Sequence, residues 1–295
     1  MRLADRLRVA QDDLRDAYLA QIPAENPPKQ SIPLHTDANG IVQAYANVMG
    51  ARVGDHVGTK LVIVDEEAGT MTARTLVFDR WGTLVRNVES ATLTALRCGM
   101  MAGLAAEFFY GRELLDRSTK VGLIGIGQLN IWTAHVFRHL YGVERFWIKG
   151  SPRHPMKNAE WLVNCDTVLA TEADLRGCDV VISATNVPDQ GESLSYERIG
   201  GAELFIAQDG GWLLDRSFRA HLPSFTDNVD QLRGHWDDEF PGERIPTLLS
   251  LDAPALRVAP RAAVYLYGVA LADIVVALRF GDPAQPLTLT EMCRP

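Results

Sequence analysis

The chain has 295 residues, of which 47% are hydrophobic and 22% are charged, a composition typical of folded globular proteins. Its formal net charge of −8 argues against a nucleic-acid partner held by a basic surface, and no apolar run approaches the ~20 residues that cross a bilayer, so we expect no membrane span. At about 100–200 residues per domain, the length predicts two domains.

Targeting and redox signals are also missing from the sequence. The N-terminal segment carries mixed charges at helical spacing and lacks the apolar centre of a secretory signal. The four cysteines form no CxxC pair, which argues against a zinc site and a disulfide framework: Cys98, Cys165, Cys178 and Cys293. We therefore expect a cytoplasmic protein without a metal ion.

The N-terminal half combines helices with β-like runs. Apolar spacing predicts a helix over residues 3–21, and the prolines between Ile22 and Pro33 predict extended chain. Three runs rich in β-branched residues then predict a meander: Val57–Val64, Met71–Phe78 and Thr83–Asn87. Ala91–Tyr110 is a helix that is apolar over most of its circumference, so we expect it to be buried on more than one side.

After Thr119 the pattern alternates between strands and helices, which predicts an α/β fold with a Rossmann-type, doubly wound parallel sheet. The predicted strands are Lys120–Ile124, Arg145–Ile148, Thr167–Leu169, Asp179–Ala184 and Glu203–Ala207. A helix is predicted over Ile131–Tyr141, and Arg261–Phe280 is predicted to be a closing helix. His135 and His139 have the spacing of zinc ligands, but the usual glutamate is missing, so we expect a solvated helix face.

The first of these strands runs into a glycine loop. Gly125-x-Gly127-x-x-Asn130, which includes Gln128, has the setting of a dinucleotide fingerprint, although Asn130 replaces the usual small third residue. Gly125 permits the tight turn, Gly127 lets the backbone approach a pyrophosphate, and the helix N-terminus attracts phosphate. The alternative is that these glycines only turn a corner in another α/β protein.

The end of the second strand bears on the choice of coenzyme. An acidic residue there would hold the ribose 2′-hydroxyl of NAD. The sequence instead offers Lys149, Ser151 and Arg153, which favour the 2′-phosphate of NADP(H), with NAD(H) possible; the alternative is a solvated basic turn. Three residues lie at the end of the fourth strand, where strand ends meet a bound dinucleotide: Ala184, Thr185 and Asn186.

Five segments in this order resemble the ornithine cyclodeaminase / mu-crystallin family, which includes amino-acid dehydrogenases, ketimine reductases and cyclodeaminases. They are Gly58–Val62, Leu93–Gly99, Gly125–Gln128, Ile206–Gly210 and Tyr267–Ile274. The resemblance covers about residues 25–280. It implies a smaller α+β domain for substrate binding and dimerisation (1–113 and 264–295), a Rossmann domain (114–263), and a homodimer.

The resemblance also implies site residues. Lys60 is similar to the family's strand lysine at the reacting centre, Arg97 to the arginine that binds the substrate carboxylate, and Asp209 to the aspartate that handles the amine or imine proton. Lys29 and Thr70 fall near a second basic residue and a substrate-side threonine. These residue types suit the chemistry, because a guanidinium binds a carboxylate through two parallel hydrogen bonds and an aspartate can exchange a proton with nitrogen.

Each of the three principal residues also has a purely structural interpretation. Lys60 could be an exposed strand residue, Arg97 part of a structural ion pair, and Asp209 a turn residue before glycine.

The sequence thus predicts an NAD(P)-dependent oxidoreductase that transfers a hydride at the C–N centre of a small amino acid, imino acid or cyclic ketimine. One alternative is a cyclodeaminase that releases ammonia without net coenzyme turnover. The other is a non-catalytic protein that binds NADPH or a small ligand, as the name crystallin suggests by analogy.

Overall fold

The structure is a computed structural model that divides into two compact units. It describes residues 2–20, 27, 29–65, 67, 68, 70–89, 91–150, 159–162, 164–185, 194–210, 213, 214, 216–229, 261–282 and 287–293. The antiparallel-sheet unit comprises residues 8–97 and 269–288. The parallel-sheet unit comprises residues 1–7, 98–268 and 289–295.

The antiparallel-sheet unit contains a five-stranded meander in which each strand pairs with the next along the chain. Its strands are β1 (Gln30–Thr36), β2 (Val42–Val53), β3 (His56–Asp65), β4 (Thr70–Asp79) and β5 (Leu84–Glu89). Burial alternates along β3, because successive side chains point to opposite faces of a sheet. The three runs predicted as strands are confirmed within a few residues.

A C-terminal helix covers the buried face of this meander. Helix α7 (Ala270–Phe280) packs against β2, β3, β4 and β5. The approach to β3 is close, since a Cβ atom on Gly58 would lie 2.5 Å from the Cγ1 atom of Ile274. Gly58 therefore makes room for the helix two residues before Lys60.

Two further helices come from the first hundred residues. Helix α1 (Leu3–Ala20) buries Leu7, Ala10, Leu14 and Tyr18 completely, at helical spacing. Helix α2 (Ala91–Ala106) continues into a π-helical turn at Glu107–Gly111. Its side chains are buried all round from Leu93 onward, as its composition predicts.

The parallel-sheet unit contains seven parallel strands in the order β11-β12-β10-β9-β6-β7-β8. They are β6 (Val121–Ile124), β7 (Arg145–Lys149), β8 (Asp166–Leu169), β9 (Val180–Ser183), β10 (Leu204–Ala207), β11 (Ser224–Thr226) and β12 (Ala262–Tyr265). The order reverses between β6 and β9, and ligands of doubly wound sheets bind at such a switch point. The predicted Rossmann-type α/β fold is confirmed.

The helices of this unit lie between its strands along the chain. They are α3 (Gln128–Tyr141), α4 (Glu172–Arg176), α5 (Tyr196–Ile199) and α6 (Arg216–His221), with α8 (Leu289–Met292) near the C-terminus. A 3-10 turn lies at Ala159–Leu162, before β8. Among the residues described above, no helix is long and apolar enough to cross a membrane.

The prediction of one closing helix over Arg261–Phe280 is wrong. Residues Ala262–Tyr265 form β12, which pairs in parallel with β10 on one side and β11 on the other, and the helix begins only at Ala270. The apolar run Ala-Ala-Val-Tyr suits a strand buried on both faces as well as a helix, so periodicity alone does not separate the two.

The division into units also differs from the expected domain boundaries. It falls inside α2, after Arg97, instead of after residue 113, and after Gly268 instead of residue 263. In the second half of α2, a Cβ atom on Gly99 would lie 3.0 Å from the Cα atom of Thr133, so this part of α2 packs tightly on α3. Pairing of β12 with β10 extends the parallel-sheet unit in the same way.

Candidate functional site

The glycine loop follows β6 at the switch point of the parallel sheet. Gly125 has a φ of +89°, and a Cβ atom there would lie 2.5 Å from the carbonyl oxygen of Ala184. Only glycine fits both constraints. A Cβ atom on Gly127 would meet no described atom within 4 Å, which leaves space in front of the loop.

Asn130 shapes this loop from the inside. Its side chain is buried, and its Nδ2 atom donates hydrogen bonds of 2.9 Å to the carbonyl oxygens of Ile124 and Gly125. Helix α3 begins at Gln128, directly after Gly127, and Gly127 caps it without a side-chain hydrogen bond. The space at Gly127 and the N–H groups at the start of α3 fit a dinucleotide pyrophosphate.

The end of β7 lies beside the same loop, because the Gly125 N–H donates to the carbonyl oxygen of Lys149 at 2.8 Å. The Lys149 Nζ atom lies 3.7 Å from the Oε1 atom of Glu172, the first residue of α4. The Arg198 Nε atom donates to the Glu172 Oε2 atom at 2.9 Å, and the guanidinium of Arg198 lowers the pKa of this carboxyl below its usual range.

Glu172 is not among the residues predicted from the sequence, because it follows β8 and not β7. Sequence alone does not show that the residue after the next strand reaches Lys149. Ser151 and Arg153, the other candidates for the coenzyme phosphate, lie outside the described residues, as does Asn186.

Asp209 follows β10 and is held by residues at the end of the neighbouring strand β9. The Ser183 hydroxyl donates to its Oδ1 atom at 3.2 Å. The backbone N–H and the hydroxyl of Thr185 both donate to its Oδ2 atom at 3.1 Å. Ala184 joins this group to the glycine loop, since its N–H donates to the carbonyl oxygen of Ile124 at 3.0 Å. The structure therefore brings Gly125, Ala184, Thr185 and Asp209 to one edge of the sheet.

In the antiparallel-sheet unit, Lys60 lies on the covered face of β3. Its register partners are Met49 on β2 and Thr75 on β4, and all three side chains are buried. Directly paired residues of an antiparallel sheet point to the same face. Only 1% of Lys60 is exposed, so the interpretation as an exposed strand residue is wrong.

Lys60 and Arg97 meet at the carboxylate of Asp273, in the first turn of α7. The Lys60 Nζ atom lies 2.5 Å from the Asp273 Oδ1 atom, and the Arg97 Nε atom lies 3.3 Å from the same oxygen. All three residues are buried. We call Lys60, Arg97 and Asp273 the cation cluster, because it combines two cationic side chains with one carboxylate.

Asp273 was missed by the sequence-based reasoning although a signal for it existed. It is an acidic residue in an otherwise apolar helical stretch, Ala-Leu-Ala-Asp-Ile-Val-Val. A buried charge without a partner is costly, so such a residue predicts a cation nearby.

The two weaker candidates are placed differently. Lys29 directly precedes Gln30, which pairs with Val48, so Lys29 lies at the end of the row formed by Met49 and Lys60. Thr70 is exposed at the start of β4, five residues from Thr75, which is about 17 Å along a strand. Because five is an odd number, Thr70 also points to the other face. Thr75, opposite Lys60, is the threonine of this strand that shares its face.

The histidines of α3 do not form a solvated face, contrary to the expectation. His135 is fully buried, and its Nε2 atom lies 2.8 Å from the carbonyl oxygen of Trp161. The His139 Nε2 atom lies 2.8 Å from the carbonyl oxygen of Met292 in α8. In the part of the chain that the structure describes, no group of three or more His, Cys, Asp or Glu residues is arranged to hold a metal ion.

The sequence matches neither a protein-family model nor a curated protein. Solved structures with similar folds include an archaeal alanine dehydrogenase dimer with bound NAD, with a TM-score of 0.74, 17% identity, and coverage of 92% of this chain and 90% of that one. Thermococcus litoralis Δ1-pyrroline-2-carboxylate reductase, in complex with NADH and L-proline, gives a TM-score of 0.70, 16% identity, and coverage of 92% and 91%.

A lysine cyclodeaminase that recognises L-lysine, L-ornithine and L-2,4-diaminobutyric acid also has a similar fold. The TM-score is 0.70 at 19% identity, and the alignment covers 94% of this chain and 86% of that one. At the level of the fold, these similarities confirm the resemblance to the ornithine cyclodeaminase / mu-crystallin family.

Proposed function

We propose that the protein is a nicotinamide-dependent oxidoreductase that transfers a hydride at the C–N centre of a small amino acid, imino acid or cyclic ketimine. The observation that carries the proposal is the position of Asp209 at the same sheet edge as the glycine loop. A carboxylate held by Ser183 and Thr185 lies at the carboxyl ends of the parallel strands, where doubly wound folds bind their ligands. Alanine dehydrogenase and pyrroline-2-carboxylate reductase, which share the fold, support this reaction class.

The coenzyme would be held by the parallel-sheet unit, through Gly125, Gly127, Gln128 and the loop-shaping Asn130. When bound, the nicotinamide supplies or accepts the hydride. We favour NADP(H), because Lys149 provides a cation at the end of β7. The Glu172 carboxylate lies 3.7 Å from Lys149 and offsets part of its positive charge, so NAD(H) stays the alternative coenzyme. Ser151, Arg153, Ala184 and Asn186 complete the proposed coenzyme contacts.

The substrate carboxylate would be bound by Arg97 and Lys60 of the cation cluster, with Lys29 and Thr75 as further polar neighbours in place of Thr70. A guanidinium fixes the plane of a carboxylate, and this orients the neighbouring carbon. In the oxidative direction Asp209 takes a proton from the substrate ammonium group as the carbon loses a hydride. In the reductive direction Asp209 returns a proton to the nitrogen as the carbon gains the hydride.

We also propose that two copies of the chain associate through the outer face of the meander. Exposed apolar side chains cover this face: Ile32, Val57, Leu61, Ile63 and Leu84. Ile63 pairs with Ala46, which pairs with Ile32, so the apolar residues form a row across three strands. The dimeric state of the archaeal alanine dehydrogenase supports the proposal.

A substrate panel tests the proposed function. The purified protein is incubated with L-alanine, L-proline, L-ornithine or L-lysine and either NAD+ or NADP+, and with Δ1-pyrroline-2-carboxylate and either reduced coenzyme. Stoichiometric change at the reduced-nicotinamide absorbance band supports the oxidoreductase. No turnover of any pair in either direction would contradict it.

The second candidate is a cyclodeaminase, favoured by the similarity to lysine cyclodeaminase. Release of ammonia from L-ornithine or L-lysine without net coenzyme change identifies this reaction in the same panel. Coenzyme binding without any turnover identifies the non-catalytic alternative.

A further inference from the structure

We infer that Asp273 is a positioning residue that holds Lys60 and Arg97 in place for the substrate carboxylate. The inference rests on the proposed function, and it adds a residue that does not itself contact substrate or coenzyme. It follows from the way α7, β3 and α2 bring three charged side chains to one buried point.

The position of Asp273 results from the close packing of α7 on the meander. The side chain of Ile274 occupies the space that a Cβ atom on Gly58 would need. Asp273 is the neighbour of Ile274, and Lys60 lies two residues after Gly58 on the same face of β3. The packing therefore places the Asp273 carboxylate against the Lys60 ammonium group at 2.5 Å.

The charges of the cluster explain why a carboxylate is needed there. Lys60 and Arg97 both contact the Asp273 Oδ1 atom, and the side chains of Lys60 and Asp273 are exposed by only 1% and 3%. Because the two buried cations share this one carboxylate, Asp273 offsets part of their charge and leaves them able to bind a substrate carboxylate. Without Asp273 the two cations would repel each other, because the buried surroundings screen charge weakly.

The Oδ2 atom of Asp273 adds to this argument. It is buried and accepts no hydrogen bond from the residues that the structure describes. The Lys60 ammonium group is hydrogen-bonded to Oδ1 and the Arg97 Nε atom lies within ion-pair distance of the same oxygen, so a change at that oxygen affects both cations. A displacement of about 1 Å in such a group can cost 100-fold in rate.

A stability cycle tests the coupling without any assay of activity. Asp273→Asn leaves two facing cations, whereas Lys60→Met leaves a neutral pair of Arg97 and Asp273. We therefore expect Asp273→Asn to lower Tm more than Lys60→Met, and the double variant to recover part of the Tm lost in Asp273→Asn. Additive effects in the double variant would overturn the inference, because a role in packing alone gives no such recovery.

Kinetics with the most active panel substrate test the positioning role. We expect Asp273→Asn to lower kcat/KM about 100-fold, with the Kd of NADPH unchanged. In the Lys60→Met background, Asp273→Asn should lower kcat/KM less than about threefold, because the lysine that Asp273 holds in place is then absent. Wild-type kcat/KM in Asp273→Asn, or an equal loss in both backgrounds, would overturn the inference.

The matched control is Glu107→Gln, which also converts a buried carboxylate into an amide. The Tyr141 hydroxyl donates to Glu107 at 3.0 Å, and the Arg112 Nε atom lies 3.7 Å away, all within the parallel-sheet unit. We expect its kcat/KM to stay near wild type; a loss equal to that of Asp273→Asn would count against a specific role. A wild type inactive on the whole panel contradicts the proposed function, while the stability cycle still decides the coupling of Asp273 to Lys60.

Discussion

Arg97 is the side chain on which the proposed binding of the substrate carboxylate depends most. It is buried on α2 and lies 3.3 Å from Asp273, so it is partly neutralised before any substrate arrives. Lys60 contacts the same oxygen, so removal of Arg97 leaves the neutral pair of Lys60 and Asp273. The loss of Arg97 should therefore weaken substrate binding more than it lowers the stability of the fold.

We predict that Arg97→Ala lowers kcat/KM by an amount equivalent to about 2–5 kcal/mol, because a buried charged contact to the substrate is lost. The Kd of NADPH should change less than about twofold, since Arg97 is assigned to the substrate and not to the coenzyme. Arg97→Lys should retain binding but lose kcat, because an ammonium group does not orient a carboxylate as a planar fork does. Normal steady-state kinetics in Arg97→Ala would show that Arg97 is only part of a structural ion pair.

Gly125 is the residue on which the proposed binding of the coenzyme depends most. Gly125→Ala places a Cβ atom 2.5 Å from the Ala184 carbonyl at a φ of +89°, so the loop must move. We predict at least about a 10-fold loss of NADPH affinity, equivalent to about 1.4 kcal/mol, measured by fluorescence titration.

The matched control for this change is Gly142→Ala. Gly142 ends α3 at a φ of +75°, and a Cβ atom there would meet no atom of the described residues within 4 Å. It should cost about 1–2 kcal/mol of stability and leave coenzyme affinity unchanged. Equal losses of affinity in both variants would mean that backbone strain, and not the loop, explains the effect.

Among the secondary-structure elements, α3 connects two segments that are distant in sequence. His135 contacts the carbonyl of Trp161, and His139 contacts the carbonyl of Met292 in α8. Burial lowers the pKa of His135 from 6.5 to about 4, and it also lowers the pKa of His139. Both histidines are therefore neutral in the folded protein near neutral pH.

This arrangement predicts that acid weakens the fold. Between pH 6.5 and about 4 the unfolded chain binds a proton at His135 that the folded chain does not, so stability falls as pH falls through this window. From pH 7 to pH 5 the loss from His135 is about 2 kcal/mol. His135→Gln keeps a donor for the Trp161 carbonyl without titrating, so urea unfolding should show less loss in this variant. An equal loss in both proteins would contradict the assignment.

Elements that follow from local sequence patterns are predicted correctly, whereas elements that depend on distant parts of the chain are not. Three of the five meander strands (β3, β4 and β5), α2 and β6 to β10 follow from local patterns of apolar residues and glycine, and these predictions are confirmed, whereas β1 and β2 are not among the predicted strands. β12 was not predicted, because a short apolar run is compatible with a helix as well as with a strand. The pairing of β12 with β10 shows that it is a strand. The burial of His135 likewise depends on the 3-10 turn at Ala159–Leu162, which lies far along the chain.

The candidate site shows the same limit. The glycine loop, Lys60, Arg97 and Asp209 are visible as residue types in characteristic segments. Asp273 and Glu172 acquire their meaning only through long-range partners, Lys60 and Lys149. Thr70 was assigned from the family resemblance, and the register that places Thr75 opposite Lys60 is not visible in the sequence.

At the scale of the whole molecule, the apolar outer face of the meander predicts self-association. Ile63→Lys places a charge at the β3 end of the row that includes Ile32 and Ala46. We predict that light scattering after size exclusion gives the chain mass of 32.5 kDa for this variant and twice that mass for wild type. Leu169→Lys, at an exposed apolar position of β8 in the other unit, should leave the mass at the wild-type value. A dimer that persists in Ile63→Lys would exclude this face.

The central claim is that hydride passes between the coenzyme and the carbon attached to nitrogen. The most direct measurement follows deuterium from C4 of the reduced coenzyme, supplied as NADPH and as NADH, during incubation with Δ1-pyrroline-2-carboxylate. We predict proline that carries one deuterium on its α-carbon, with much slower labelling in Arg97→Ala. If the protein binds NADPH or NADH and the bound coenzyme keeps its deuterium after prolonged incubation, hydride transfer to this substrate is contradicted.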